Sequence, residues 1–100
     1  MLHTVNKSPF QTKTLQSCLH HTRKGDAVLL IEDGVFGALK GTEASGDVWA
    51  RRVEVSFYVL GPDAAARGLS EDRMIEGMNI IDYEGFVDLV AKHKTSQAWL

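Results

Sequence analysis

The sequence predicts an α/β chain: a single three-layer α/β/α domain, residues 1–100, around a mainly parallel sheet of 4–5 strands. Two observations carry this. Short apolar runs alternate with helical segments along the whole chain, the pattern of right-handed βαβ units. One run, "AVLLI" at 27–31, is continuously apolar, as a strand covered on both faces must be. The length of 100 residues is ordinary for one domain and short for two cores.

The elements follow in order. "LHTV" at 2–5 reads as a first strand. In "NKSPFQTKTLQSCLHHTRKG", Ser8 is placed to cap a helix, with Pro9 at its first position and Gln11 completing a capping box. Leu15, Cys18, Leu19 and Thr22 recur at helical spacing and share one face. Gly25 is placed to end that helix. After the strand at 27–31, "EDGVFGALKG" predicts a turn and a short helix, and "TEASGDVWARR" an exposed polar loop. "VEVSFYVL" at 53–60 alternates, so one face of that strand is more polar and less covered. "GPDAAARGL" offers Asp63 as the cap of a helical turn, and "SEDRMIEG" a second short helix. "MNIID" at 78–82 is the fourth strand. Asp82 then caps a helix whose apolar face is Tyr83, Phe86, Val87, Val90 and Ala91. "TSQAWL" is the candidate fifth strand.

Composition narrows the function classes. The net charge of −2 and scattered Lys and Arg argue against direct nucleic-acid binding. No apolar run approaches the roughly 20 residues of a membrane span, and "MLHTVNKSPF" lacks the features of a secretory signal. One cysteine forms no internal disulfide, and a reducing, cytoplasmic location is expected.

Cys18 has two readings. As chemistry, it is a thiol whose ionisation is assisted by His21, three residues on along the helix. As structure, it is a small apolar filler in line with Leu15 and Leu19. Cys18 and His21 alone do not make a metal site; structural zinc takes four ligands, so no metal or other cofactor is expected. Asp33 and Gly34, after a buried strand, would lie at the carboxyl edge of the sheet, where open α/β folds hold ligands. The same pair is also a strong turn former. No phosphate loop, dinucleotide fingerprint or nucleophile elbow is present. Trp49 and Trp99 are each read either as contacts for a partner or as cover for their own sheet edge.

Several stretches together resemble the DsrH/TusB family: "MLHTVNKSPF", "GDAVLLIEDGVFGAL", "ARGL" at 66–69, and "IIDYEGFVDLVAKH" leading to "SQAWL". The region 42–52 carries little of the likeness. The resemblance implies a DsrEFH-like α/β/α subunit of a cytoplasmic sulfurtransferase heterohexamer. DsrE/TusD-like and DsrF/TusC-like homologous subunits would be its partners, two copies of each, with a DsrC/TusE-like protein as sulfur acceptor. In the DsrEFH branch such complexes serve intracellular sulfur oxidation. In the TusBCD branch they relay persulfide sulfur towards 2-thiouridine at the tRNA wobble position. In both, the main sulfur-carrying cysteine belongs to the DsrE/TusD partner. A cysteine in the first helix is similar to DsrH-type members, which tilts the expectation to the oxidation branch. Cys18 is then a secondary persulfide acceptor, with His21 assisting its thiolate, in a subunit that mainly scaffolds and docks.

Overall fold

The computed structural model describes all residues, 1–100. Five strands form one parallel sheet in the order β4-β3-β2-β1-β5: β1 Leu2–Val5, β2 Ala27–Leu30, β3 Ser56–Leu60, β4 Asn79–Ile81 and β5 Ser96–Trp99. The helices are α1 Thr14–His21, α2 Ser45–Arg51, α3 Gly61–Ala66 and α4 Tyr83–Lys92, with 3-10 turns at Glu32–Ala38 and Glu71–Arg73.

Strand order dictates how the layers are filled. From β1 to β4 each new strand is added on the same side of the last, so right-handed crossovers send all their connections to one face. Only the step from β4 to β5 runs back across the sheet, which puts α4 alone on the other face. The cores match this division. Val5, Val28, Leu30, Phe57 and Val59 point into the larger cluster, with Leu15, Cys18, Leu19 and Val48. Leu2, Ala27, Leu29 and Leu89 form the smaller one, with Phe86 and Tyr58 beside it. All four β2 side chains are buried, as the apolar run requires. On β3, Phe57 and Val59 are buried while Ser56 is exposed and Tyr58 half-buried, so its polar face is the thinly covered one.

Four sequence expectations are corrected. The capping box does not form. Ser8 Oγ accepts from the Phe10 amide, the Ser8 carbonyl closes a turn onto Gln11 and Thr12, and the helix starts at Thr14. Region 42–52 is not a loop but contains α2, held by the single buried Val48. β3 begins at Ser56; Val53 is exposed beyond α2 and Val55 closes a turn onto Arg51. On α4 the inward residues are Phe86 and Leu89, whereas Tyr83, Val87, Val90 and Ala91 are exposed. The helix is turned about a quarter of a revolution from the expected face.

Two backbone positions are fixed by conformation or space. Gly25, with φ +91°, is the third residue of a turn closed by the Asp26 amide on Arg23, so it serves the α1–β2 turn after the helix has ended. Gly34 lies against β1: a Cβ there would sit 2.0 Å from the Val5 carbonyl oxygen. At β4, Asp82 caps α4 as expected, accepting from the Gly85 amide at 2.8 Å.

Candidate functional site

α1 presents Leu15, Cys18 and Leu19 to the sheet and closes on Thr22, whose hydroxyl donates to the Leu19 carbonyl. Arg51 of α2 locks this end. Its guanidinium donates to the Thr22 carbonyl at 2.8 Å and to the Thr22 hydroxyl. Cys18 is therefore held inside a clamped helix, with 0% of its surface exposed. Burial pushes its thiol up to about 12, and the negative charge of Asp26 adds to the push. In this conformation it is a neutral thiol without access to solvent.

His21 is exposed. Its Nδ1 lies 2.8 Å from the Ser17 carbonyl, which can only accept, so Nδ1 carries the proton and donates. Its ring packs against Trp99, with centroids 5.3 Å apart. His20 is exposed as well. No group of three or more His, Cys, Asp or Glu side chains comes together as a metal would need.

A polar cluster that the sequence did not reveal sits beside this helix. His3, buried on β1, places Nε2 2.9 Å from Asp26 Oδ2, while its Nδ1 lies 3.1 Å from Trp99 Nε1. An indole nitrogen only donates, so Nδ1 is the acceptor, the proton is on Nε2, and the imidazole is neutral. Burial would raise the Asp26 pKa, but hydrogen bonds from His3, the Arg23 amide and the N-terminal ammonium outweigh it and hold the carboxyl at about 2. Trp99 thus covers its own sheet edge, tying β5 to β1 through His3. The only sequence hint was a histidine among apolar neighbours on β1; its partners lie 23 and 96 residues away.

The carboxyl edge of the sheet is also committed to structure. Glu32 has φ +50°, and its amide donates to Asp63 Oδ2 at 2.7 Å. Asp63 therefore ties the 3-10 turn to α3 and does not cap its own helix. Asp33 pairs with Arg67 Nε at 2.9 Å, and Arg67 also donates to the Asp63 carbonyl. Trp49 lies on α2, with the Arg52 guanidinium 3.5 Å above its ring.

These features define a class: a small parallel α/β domain with one enclosed thiol and no assembled set of nucleophile, base and stabilising charge. Comparison with known proteins narrows it. Residues 7–96 match the family model described as DsrH like protein. The chain is 40% identical to Protein TusB of Pectobacterium parmentieri over 101 residues, covering 99% of this chain and 100% of the relative. It is 36% identical to Protein TusB of Escherichia coli O81 (strain ED1a) over 99 residues, with the same coverage. The crystal structure of the ychN protein from E. coli superposes with a TM-score of 0.82, covering 97% of each chain at 14% identity, a likeness of fold. The chain belongs to the DsrH/TusB family. That membership supports a sulfur-relay subunit.

Proposed function

We propose that this chain, as one DsrH/TusB-like domain, is an accessory subunit of a cytoplasmic sulfurtransferase complex. Its partners in this reading are TusD/DsrE-like and TusC/DsrF-like chains in a 2:2:2 hexamer, which hands sulfur to a TusE/DsrC-like acceptor. The observation that carries the accessory role is Cys18: a thiol with no exposed surface and a pKa near 12 is the opposite of a relay nucleophile, which must be ionised and reachable. Persulfide transfer moves a terminal sulfur from one thiolate to another, so the thiolate doing this work belongs to a sister chain. In this proposal Cys18 is a secondary acceptor only in a state where α1 opens, with His21 beside it as the base.

Full-length similarity to TusB proteins favours relay towards tRNA 2-thiouridine. The cysteine on α1 favours a second reading, a DsrH-type role in sulfur oxidation. Membrane attachment is not needed for either, and no helix is long and apolar enough to cross a membrane. Affinity purification from the native host with mass spectrometry tests the proposal. Two homologous α/β partners and a small cysteine-bearing acceptor are expected. Sulfite-reductase-like proteins in the same eluate would select the oxidation branch, and a chain recovered alone would refute the accessory role.

A further inference from the structure

The two hydrogen bonds of His3 respond in opposite ways to one added proton. The ring is buried on β1 and is used at both nitrogens: Nε2 donates to Asp26 Oδ2 at 2.9 Å, and Nδ1 accepts from Trp99 Nε1 at 3.1 Å. A second proton can go only to Nδ1. There it meets the indole N–H, which cannot accept, so the bond to Trp99 is replaced by two opposed donors. The bond to Asp26 becomes charge-assisted and strengthens. Asp26 is available for this throughout, because its carboxyl is held at about 2 and stays ionised far below neutrality. One proton therefore breaks one contact of His3 and tightens the other.

The contact that breaks is the one that secures an edge. β5 is the last strand of the sheet, paired with β1 alone, and its Ser96, Gln97 and Ala98 are exposed. Trp99 is its one half-buried side chain and packs against the larger core. Beyond the backbone ladder, β5 is held by that ring and its bond to His3. Charged and titratable groups reach this corner from each neighbouring element. They are Asp26 at the β2 entry, with the N-terminal ammonium 3.0 Å from its other oxygen, His21 of α1 against the Trp99 ring, the neutral thiol of Cys18, and Lys92 and His93 at the end of α4. Of these only Asp26 bonds to His3. We propose that His3 is a proton-operated latch on β5: singly protonated it holds Trp99 and keeps the edge strand closed, and doubly protonated it lets Trp99 go while Asp26 keeps the ring in place. The latch belongs to this chain alone, whatever assembly the chain joins.

The test uses the full chain, titrated from about pH 8 to about pH 5, the span in which histidines change charge. Imidazole 15N shifts should show His3 as the Nε2–H tautomer at the upper end and doubly protonated at the lower. Over the same transition, hydrogen-exchange protection of the β5 amides, corrected for intrinsic rates, should fall about tenfold while β2 stays protected. In a Trp49→Phe background, where Trp99 is the only tryptophan, its emission should shift to the red with the same midpoint. His3→Asn keeps an acceptor but binds no proton, and should abolish the transition; the wild-type shifts and exchange decide the matter even if that variant folds poorly. His21→Gln should leave the transition in place. His3 remaining singly protonated down to about pH 5 overturns the proposal. So does a second proton on His3 with no change in β5 protection, or a transition that disappears with His21→Gln.

Discussion

Thiol reactivity at Cys18 offers a direct numerical test of the site. The perturbation is a small disulfide reagent such as Ellman's reagent, added to the folded chain and to the chain in guanidinium. At about pH 8 a thiol with the ordinary pKa of 9.0 is roughly one-tenth ionised, whereas one near 12 is ionised in roughly one molecule in ten thousand. Ionisation alone therefore slows the folded chain about a thousandfold. Reaction through global unfolding is comparably slow, because a domain stable by about 5 kcal/mol is open in roughly one molecule in five thousand. The folded rate should thus be no more than about a thousandth of the denatured rate and keep climbing with pH past 9.0, where an exposed thiol would level off. A folded rate within about tenfold of the denatured one would refute the enclosure of Cys18.

Three other outcomes follow from the geometry. Gly34→Ala forces a Cβ to within 2.0 Å of the Val5 carbonyl and should lower stability by about 3 kcal/mol or more in urea unfolding; an unchanged midpoint would contradict the close approach. Arg51→Ala removes the clamp on Thr22 and should cost about 1–2 kcal/mol, with faster amide exchange at the end of α1. Asp26 is held at about 2, below its ordinary 3.8, so its stabilising contribution is present above pH 3.8 and is lost as pH falls towards 2. Asp26→Asn should flatten that limb of the stability–pH curve, measured by melting temperature across the acid range.

How much was legible in the sequence depended on how local the signal was. "AVLLI" announced a doubly covered strand, because its burial pattern and length lie within a few residues, whereas "TSQAWL" was no more than a candidate for β5, whose side chains are mostly exposed and leave no burial pattern. α2 was hidden because its packing rests on Val48 alone, too little to show a helical period. α4 was recognised as a helix but not oriented, since its apolar arc runs from Leu89 through Phe86 to Val87 and several faces fit one sheet. Choosing among them requires knowing that strand order leaves α4 alone on its side. At the site, the α1 face of Leu15, Cys18 and Leu19 was readable from spacing. The His3–Asp26–Trp99 link was not, because it joins residues from β1, the β2 entry and β5 that meet only when the sheet is assembled.

The central claim is that this chain does not itself carry the relayed sulfur. Intact-mass spectrometry of the folded chain, incubated with a persulfide donor alone and then with the partner subunits proposed above, addresses it most directly. The expected result is no added sulfur on the isolated chain and an added sulfur on a partner's cysteine in the complex. Rapid stoichiometric loading of Cys18 in the isolated chain, followed by discharge to an acceptor protein, would contradict it.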